Sequence, residues 1–404
     1  MNTIERMKVV LLAPYFRPDN YGGAVQVYEN LFRNQEFDVH IICPSTSKYM
    51  SDDEYFNDTK LKIHRLPSLS LTFKSSSITS KLKDFLLYKI RCKREIVRKL
   101  NIIKPDIIIN GGIRKFAWLT KAMQSTAPVI NYIHGEELSI RPVGLFGKWL
   151  YTTQNQSLSK VKVNICVSSY TANAVLKISP TSKVKILTNF VDSDRYQSPI
   201  NKDTLKKKLN LENVTSLICV CRLIKRKGVE DLLLAIKEIV KVNKHKLVLN
   251  ICGAGPELDN LKQLSRGLGL SKRVMFHGFT EDKMMLNLLQ ASDIFVMPNK
   301  TVDGDLEGFG LVFLEANACG LPVIGGRSGG VVDAIENNVS GFLVDPESPS
   351  ELIEKLTLLI ENEDLRLDMG KRGLLRAISD FSLVNKRAEF NDVLLSVKSG
   401  EPVA

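Results

Sequence analysis

The sequence predicts an α/β protein built from two Rossmann-like, doubly wound parallel-sheet domains that face a cleft. With 404 residues, the chain is too long for one hydrophobic core of ordinary size. Short apolar runs alternate with segments long enough for a helix, the pattern of strand–helix–strand units in parallel sheets. The composition, 44% hydrophobic and 25% charged, is globular, and no apolar run approaches the ~20 residues that span a bilayer.

The first domain is predicted to cover residues 1–190. Its apolar runs are short and bounded by polar or turn-forming residues, which is typical of buried strands in a parallel sheet. The predicted strands are Lys8–Ala13, Val39–Cys43, Ile107–Asn110, Val129–Ile133, Val163–Val167 and Val184–Leu187. The polar stretch Asp192–Lys208 that follows is the expected linker.

The second domain is predicted to cover residues 191–380, and the final segment, 381–404, to carry a helix over Phe381–Val397. The same alternation of apolar runs and helix-length segments continues here. The predicted strands are Leu217–Val220, Leu247–Cys252, Val274–Phe276, Ile294–Met297, Val323–Ile324 and Phe342–Val344.

The most informative stretch joins the strand Ile294–Met297 to a predicted helix, Leu311–Ala318, that stops at Gly320. Glu307, Gly308 and Gly310 lie between them, in the loop that leads from the strand into the helix. In open α/β sheets ligands bind at this position.

The residues of this loop suit a sugar and a phosphate. Gly308 and Gly310 allow close backbone approach, and the N–H groups at the helix start, around Leu311, favour an anion. Glu307 can accept hydrogen bonds from sugar hydroxyls, and Glu315, one turn into the helix, suits a ribose. The alternative is a surface loop whose acids cap a helix N-terminus.

The run Glu307-Gly308-Phe309-Gly310-Leu311, followed by Glu315, resembles the signature of the family-four retaining glycosyltransferases, which have the GT-B fold. The resemblance spans most of the C-terminal half and is looser in the N-terminal half. It also rests on the segments Cys221–Leu223, Lys227–Gly228, Ala318–Ile324, Ser328–Gly330 and Gly341–Val344. It implies that residues 307–311 and Glu315 bind a nucleotide-sugar donor. It also implies that the C-terminal helix crosses back onto the first domain.

Two cations follow the strand Leu217–Val220. The guanidinium of Arg222 and the ammonium of Lys227 can neutralise a diphosphate and stabilise it as it leaves. By position they resemble the family's phosphate-binding pair. Lys225 and Arg226 are expected to be surface charges, because four consecutive cations cannot all face one ligand.

Smaller candidates stand at other strand ends. Gly22 and Gly23 form either an ordinary turn or, as the resemblance implies, a loop that offers N–H groups to the donor's β-phosphate. His134 is either a structural loop histidine or, by its Ile-His-Gly context, the active-site histidine. By the same resemblance, Gly253 lies in a Gly-x-Gly-Pro turn beside the nucleotide, and the backbone near Phe279 meets the base.

No cofactor is expected. Asp303-Gly304-Asp305 mimics the metal-binding Asp-x-Asp of other glycosyltransferases, but the resembled family generally needs no metal. Pro256 breaks the Gly-x-Gly-x-x-Gly pattern of NAD-binding folds. The seven cysteines are an odd number and include no Cys-x-x-Cys pair, which argues against a disulfide framework or a zinc site. The chain is therefore expected in the cytoplasm.

Charge is unevenly distributed along the chain. Residues 1–190 hold 28 Lys and Arg against 14 Asp and Glu, whereas residues 191–404 hold 28 against 30. The excess is densest over residues 74–104, where basic and apolar residues recur at helical spacing. Such a helix either contacts an anionic membrane surface peripherally, at its inner face, or packs its apolar side on the domain. Nucleic acid is a weaker candidate, because no aromatic-studded basic motif accompanies the charge.

The resulting hypothesis is a retaining glycosyltransferase that moves a hexose-type sugar from a GDP- or UDP-sugar to a glycan or lipid-linked acceptor. The expected setting is surface polysaccharide, lipopolysaccharide or glycolipid synthesis. The expected catalytic residues are Glu307, His134, Arg222 and Lys227. Two alternatives remain open: a nucleotide-dependent enzyme of different chemistry on the same fold, such as a sugar-nucleotide epimerase or an oxidoreductase, and a catalytically silent nucleotide-binding scaffold.

Overall fold

The computed structural model describes residues 6–16, 22–33, 35–45, 61–70, 78–138, 144–242 and 246–403, with backbone alone at 78–83, 145 and 146. Residues 74–77 of the basic segment lie outside the described residues. The chain forms two compact units. The first comprises Met1–Val167, Thr171–Leu187 and Arg387–Ala404, and the second comprises Ser168–Tyr170 and Thr188–Lys386.

The first unit is built on a seven-stranded parallel sheet with the strand order β3-β2-β1-β4-β5-β6-β7. The strands are β1 (Lys8–Leu12), β2 (Asp38–Pro44), β3 (Lys62–Leu66), β4 (Ile107–Asn110), β5 (Val129–Ile133), β6 (Asn164–Cys166) and β7 (Val184–Ile186). The helices before and between them are α1 (Gly23–Phe32), α2 (Ile78–Ile103), α3 (Ile113–Phe116), α4 (Thr120–Gln124), α5 (Gly144–Lys160) and α6 (Ser169–Ile178). Short 3₁₀ turns occur at Pro67–Leu69, Ala117–Leu119 and Glu136–Leu138.

The second unit repeats this plan with a six-stranded parallel sheet in the order β10-β9-β8-β11-β12-β13. The strands are β8 (Thr215–Val220), β9 (Leu247–Cys252), β10 (Val274–Gly278), β11 (Ile294–Met297), β12 (Val323–Gly326) and β13 (Gly341–Val344). The helices are α7 (Lys202–Lys208), α8 (Val229–Val242), α9 (Leu258–Gly267), α10 (Asp282–Ala291), α11 (Leu311–Ala318), α12 (Val331–Ala334), α13 (Pro349–Glu361) and α14 (Glu363–Asp380). The last helix, α15 (Leu383–Ser399), begins in the second unit and continues from Arg387 in the first.

All the predicted strands are confirmed, and their observed bounds differ from the predicted ones by two residues at most. The sequence interpretation missed β3. This strand lies at the edge of the first sheet, and its residues are mostly half-buried. An edge strand of this kind lacks the continuous apolar run that identified the others.

The helix α2 packs one face on the first sheet. Cys92, Ile96, Leu100 and Ile103, spaced three or four residues apart, are buried in a core cluster with residues of β1, β2 and β4. Nearer the helix start, Leu86, Leu87 and Ile90 are 52, 41 and 55% exposed. The C-terminal half of this basic helix therefore uses its apolar residues for packing, whereas the earlier part leaves apolar residues on the surface.

The helix α15 carries the end of the chain onto the first unit. The Phe390 ring meets the Phe32 ring edge to face at a centroid distance of 5.6 Å. The Arg387 guanidinium donates a hydrogen bond to the Asn30 carbonyl, and the Asn391 amide donates to the Gln35 side chain at 3.2 Å. In the described part of the chain, none of the helices combines the length and apolar character that a membrane crossing needs.

Three buried asparagines link neighbouring strands inside the first unit. The Asn110 amide on β4 donates to Asn131 on β5 at 3.0 Å, and Asn131 donates to Asn164 on β6 at 2.8 Å. Asn164 in turn donates to the carbonyls of Leu158 and Lys183. Since unpaired buried amides are costly, each asparagine requires its partner opposite it.

A histidine pair links the edge strand β3 of the first sheet to its neighbour β2. His40 Nδ1 on β2 lies 2.8 Å from His64 Nε2 on β3, and the two rings stack. Burial, helped by Lys99, His40 and Lys62, lowers the pKa of His64 to about 4. Burial also lowers the pKa of His40, although Asp38 opposes the shift. The fold therefore holds both rings in the neutral form.

We expect the first unit to lose stability as the pH falls from about 6.5 towards 4. Between these values the unfolded chain binds a proton at His64, whose ordinary pKa is about 6.5, and the folded chain does not. The stability that the neutral His64 contributes is therefore fully present above pH 6.5 and is lost as the pH falls towards 4. Urea denaturation of the wild-type protein and His64→Gln at pH 7.5 and 4.5 measures the contribution. A difference between the two proteins that stays constant with pH would contradict it.

Candidate functional site

The strand order of the second sheet reverses at the neighbours β8 and β11, whose carboxyl ends lie side by side. Ligands of doubly wound sheets bind at such switch points. After β8 the chain turns through the 3₁₀ helix Lys225–Lys227 to Gly228. A Cβ at Gly228 would lie 1.9 Å from the carbonyl oxygen of Pro298, which follows β11. Only glycine lets the two loops approach this closely.

Glu307 is the carboxylate on which the two loops converge. Arg226 Nη1 donates to Glu307 Oε2 at 2.6 Å, and Lys227 forms an ion pair with the same oxygen. Arg226 Nε also reaches Asp305 Oδ2 at 3.1 Å. The side chains of Arg226, Lys227 and Glu307 are only 8, 11 and 14% exposed. A largely dehydrated ion cluster therefore ties the loop after β8 to the loop after β11.

The cluster fixes the charge of Glu307. Burial alone would raise the pKa of this carboxyl, but Lys227 and Arg226 outweigh it and hold the pKa below its ordinary value. Glu307 is therefore an ionised hydrogen-bond acceptor at neutral pH.

The expectation that Arg226 is a surface charge is wrong, whereas Lys225 is indeed exposed. A turn closed by hydrogen bonds between Val302 and Asp305 brings two carboxylates, Asp305 and Glu307, to the Arg226 guanidinium. Arg226 stands 79 and 81 residues before Asp305 and Glu307, so no local sequence pattern marks this pairing.

The glycine loop leads directly into α11. Gly310 takes the left-handed conformation, with φ of 88°, and Leu311 is the first residue of the helix. A Cβ at Gly330 would lie 1.9 Å from the Gly308 carbonyl oxygen, and the Gly330 N–H donates to the Glu307 carbonyl at 2.8 Å. The N-terminal N–H groups of α11 consequently follow Glu307 within one tightly packed turn.

Phe309, inside this loop, points its side chain into the protein. Its ring is 2% exposed and lies 6.0 Å from the ring of Phe381. Only the Phe309 backbone is therefore placed to meet a ligand, and the ring anchors the loop to the unit.

Glu315 lies one turn into α11 and is 8% exposed. Burial raises the pKa of Glu315, against the opposing effects of the Tyr196 hydroxyl and Arg195. Arg195 itself pairs with Asp282 at 3.0 Å. Tyr196, Arg195 and Asp282 were not among the residues predicted from the sequence.

Three further predicted residues stand at the carboxyl ends of neighbouring strands. Gly253, after β9, has φ of 148°, and a Cβ there would lie 1.8 Å from the Cys221 carbonyl oxygen. Phe279, after β10, is 76% exposed and offers an aromatic face to a base. Arg222, shortly after β8, is exposed.

In the first unit, Gly22 and Gly23 start the helix α1. The Gly22 carbonyl accepts the N–H groups of Val25 and Gln26 at 3.0 and 3.2 Å. A Cβ at Gly23 would meet nothing within 4 Å. Packing within the described residues therefore does not require glycine at position 23, and residues 17–21 just before it lie outside the described residues.

His134 follows β5 in the first unit. Its ring stacks on Tyr132 and meets Tyr28 edge to face, each at 5.1 Å. Glu137 accepts the His134 backbone N–H at 3.0 Å. Burial lowers the pKa of His134 to about 3 and raises the pKa of Glu137 to about 6. His134 is thus a neutral imidazole, and its buried Nε2 has no hydrogen-bond partner among the described residues.

Within the described residues, no three His, Cys, Asp or Glu side chains converge as a metal-ligand set. Asp305 of the Asp303-Gly304-Asp305 segment is instead paired with Arg226.

Two family models match the chain, one towards each end of it. The model for glycosyl transferases group 1 matches residues 201–376, and the model for Glycosyltransferase Family 4 matches residues 21–195. The chain belongs to the family-four glycosyltransferases. The segment 201–376 includes the whole ion cluster around Glu307.

The glycosyltransferase is similar to two mannosyltransferases. It is 34% identical over 212 residues to the GDP-mannose-dependent alpha-(1-6)-phosphatidylinositol monomannoside mannosyltransferase of Mycobacterium tuberculosis strain H37Rv. That match covers 51% of this chain and spans about half, 54%, of the relative. It is 27% identical over 375 residues to the GDP-mannose-dependent monoacylated alpha-(1-6)-phosphatidylinositol monomannoside mannosyltransferase of Corynebacterium glutamicum, covering 90% of this chain and 92% of the relative.

Among solved structures, the glycosyltransferase resembles HepE of Anabaena in complex with UDP and glucose. The TM-score is 0.77 at 20% identity, over 97% of this chain and 100% of that one. Together with the two parallel sheets, this likeness confirms the GT-B fold.

We expect Arg226→Met to lower the free energy of unfolding of the second unit by about 2 kcal/mol. Breaking a buried ion pair completely costs about 3–5 kcal/mol, but Lys227 still neutralises Glu307 in this variant. The matched control is Lys225→Met, an exposed neighbour whose loss should change stability by less than about 0.5 kcal/mol. Urea denaturation measures both variants. Equal effects would show that the ion cluster does not stabilise the unit.

Proposed function

We propose that this glycosyltransferase moves a hexose-type sugar, with retention of configuration, from a nucleotide-diphosphate donor to a glycan or lipid-linked acceptor. The observation that carries the proposal is the ionised, buried Glu307 at the switch point of the second sheet, directly before the start of α11. This arrangement places a hydrogen-bond acceptor for sugar hydroxyls next to N–H groups that favour a phosphate.

In the proposed donor complex, Glu307 accepts hydrogen bonds from the sugar through one of its two carboxylate oxygens. Arg226 and Lys227 both pair with Oε2 of Glu307, so we assign the sugar hydroxyls to Oε1. Glu315 forms a hydrogen bond with the ribose. Because its pKa is raised, its carboxyl group can serve as a donor as well as an acceptor more readily than that of an ordinary glutamate. The exposed ring of Phe279 is the proposed contact of the base.

The leaving diphosphate is the charge that the site must stabilise. Arg222, Lys227 and the N-terminal N–H groups of α11 supply positive charge and hydrogen bonds there, which is the type of stabilisation that lowers the barrier of such a transfer. We therefore propose that no metal ion is needed. In a front-face transfer the departing phosphate accepts the acceptor's proton, and the new glycosidic bond forms on the face that the nucleotide leaves.

His134, Gly22 and Gly23 of the first unit stay predictions as donor contacts. The role we propose for His134 is that of a neutral hydrogen-bonding group, because burial lowers its pKa to about 3.

The acceptor class is proposed from the relatives. The two mannosyltransferases reported above act, by name, on phosphatidylinositol mannosides, which are glycolipids. A role in surface polysaccharide, lipopolysaccharide or glycolipid synthesis follows for this chain as a hypothesis. Seven free thiols agree with a reducing compartment, so we propose that the enzyme acts in the cytoplasm.

The alternative of an epimerase or oxidoreductase is less well supported. Such enzymes hold a dinucleotide through a glycine-rich turn after a strand. Here the corresponding turn packs on its own unit, since a Cβ at Gly255 would lie 2.3 Å from the Leu223 carbonyl oxygen. Pro256 follows where that fingerprint continues.

We expect one nucleoside diphosphate, GDP or UDP, to raise the unfolding temperature of the protein in the presence of EDTA. A ligand at about 100 times its dissociation constant adds about 2.7 kcal/mol to the stability of the state that binds it. Arg222→Met should weaken this binding about tenfold or more, because a hydrogen bond to a charged group contributes about 1.5–3 kcal/mol. The measurement is thermal unfolding with GDP, UDP, ADP and NAD.

Lys225→Met is the control for that experiment, because it removes an exposed cation from the same loop. An NAD-specific shift would overturn the glycosyl-transfer proposal in favour of the oxidoreductase alternative. A shift that requires a divalent ion would contradict the proposed metal independence.

We also propose that the first unit contacts an anionic membrane surface through α2. Leu86 and Ile90, four residues apart, are exposed. The exposed cations Lys93 and Arg94 follow Ile90 by three and four residues and so lie on the same side of the helix. The ammonium of Lys89 lies 4.2 Å from the ring centroid of Trp149 and 5.0 Å from that of Trp118. These are the two tryptophans of the chain, a residue type enriched at membrane interfaces.

We expect the protein to co-sediment with phosphatidylglycerol vesicles and not with phosphatidylcholine vesicles. Changing Arg91, Lys93 and Arg94 together to Gln should weaken binding by about 100-fold, since each cation near the surface contributes about 1 kcal/mol. The matched control changes three exposed lysines of the second unit, Lys207, Lys208 and Lys272, to Gln. An equal loss in both triple variants would mean that attraction is diffuse and not carried by α2.

A further inference from the structure

Two cysteines stand at the carboxyl end of β8, next to the ion cluster. Cys219 lies in the strand and Cys221 directly follows it. Side chains two residues apart on an extended chain point to the same face, and the two Sγ atoms are 3.8 Å apart. A disulfide needs Cβ atoms about 3.8 Å apart, whereas positions two residues apart on an extended chain are separated by about 6.6 Å, so closing the bond must bend the chain at Val220.

Cys221 differs from every other cysteine in its exposure. All seven cysteines lie in the described part of the chain; six are buried, and Cys221 alone is partly exposed. A small polar oxidant in solution therefore reaches Cys221 before the others.

The surroundings also separate the two thiols chemically. The hydrogen bond with Cys219 lowers the pKa of Cys221, and Lys227 and Arg226 lower it further, against burial and Glu307. The same hydrogen bond, together with burial, raises the pKa of Cys219. Burial raises the pKa of Cys252, on the neighbouring strand β9, to about 11. Of the two thiols, Cys221 is therefore the one that is partly exposed and that ionises more readily, and Cys219 is the adjacent thiol that can resolve it.

We propose that Cys219 and Cys221 form a modification site, at which a peroxide produces an intramolecular disulfide that weakens nucleotide binding. The Cys221 thiolate attacks one oxygen of hydrogen peroxide, the O–O bond breaks, and hydroxide leaves, giving a Cys221 sulfenic acid. The Cys219 thiol then attacks this sulfur, forming the S–S bond and releasing water. The hydroxide takes up the proton that Cys221 released on ionising, so the two sulfurs lose two electrons and peroxide is reduced to two waters.

The link to nucleotide binding rests on the proposed function of Arg222 and Lys227. The Cys221 backbone N–H donates to the Cys252 carbonyl at 3.1 Å, and its carbonyl oxygen is packed against Gly253. Closing the sulfurs from 3.8 Å to the ~2.05 Å of a disulfide pulls on this fixed backbone. Arg222 is the next residue, so the strain is transmitted to the loop that is proposed to hold the diphosphate.

The sequence makes the bond easy to detect. No lysine or arginine lies between Lys208 and Arg222, so trypsin releases residues 209–222 as one peptide with both cysteines. The full-length protein is treated with graded hydrogen peroxide, its remaining thiols are blocked with N-ethylmaleimide, and the digest is analysed by mass spectrometry. We expect this peptide to lose two hydrogen masses and escape blocking at peroxide concentrations that leave Cys43, Cys92, Cys166 and Cys319 reduced. Oxidation of those buried cysteines at the same rate, or no internal disulfide in the peptide, would overturn the proposal.

Single variants separate the roles of the thiols. In Cys219→Ser, Cys221 should still be oxidised but proceed to the sulfinic acid, because its resolving partner is missing. In Cys221→Ser, residue 219 should stay reduced. Cys252→Ser is the matched control and should form the disulfide as the wild-type protein does. Loss of the disulfide in Cys252→Ser would assign the resolving role to Cys252 and overturn the pairing.

The functional consequence is measured separately by thermal unfolding with the nucleoside diphosphate that stabilises the reduced protein. Oxidation should weaken this nucleotide about tenfold or more, the effect of losing one charge-assisted hydrogen bond, and dithiothreitol should restore it. Cys221→Ser, in which no sulfenic acid forms at position 221, should keep its nucleotide affinity in peroxide doses that give disulfide in the wild type. A disulfide without any change in affinity would refute the effect on binding. If the reduced protein binds no nucleotide while the disulfide forms, the proposed function fails and the modification site stands.

Discussion

A carboxylate removed from water must be neutralised, and in this chain that requirement organises the candidate site. Glu307 is almost fully buried, and it stays ionised only because Lys227 and Arg226 reach the same oxygen. The two cations come from the segment after β8 and the carboxylate from the segment after β11. Ion pairing, together with the hydrogen bond that the Lys300 N–H donates to the Arg226 carbonyl at 2.8 Å, therefore sets the relative position of the two loops.

The close packing of glycines around Glu307 follows from the same constraint. For the ion pairs to form, the backbone of one loop must pass against the other without side chains between them. Gly228 against Pro298 provides that approach, and Gly330, which follows β12, packs in the same way against Gly308 of the Glu307 loop. An alanine at position 228 would push apart the segments that carry the charges, so this glycine is needed for electrostatic as well as steric reasons.

Most of the fold could be predicted from the sequence, because buried parallel strands are continuous apolar runs and hardly depend on their neighbours for recognition. The edge strand β3 was missed because its residues do not form a continuous apolar run. Within the site, the glycine loop and Glu307 were recognised by their fixed local spacing. The partners Arg226, Asp305 and Tyr196 were not, since contacts between residues tens of positions apart are set by the way the loops fold and not by any local pattern.

The chain of asparagines across β4, β5 and β6 has a consequence for strand alignment. A slip of one residue between these strands would turn each side chain to the opposite face of the sheet and leave buried amides without acceptors. Each orphaned amide costs about 1–3 kcal/mol. The three amides therefore act as a register lock, which fixes how far β5 extends and hence where His134 emerges at its end.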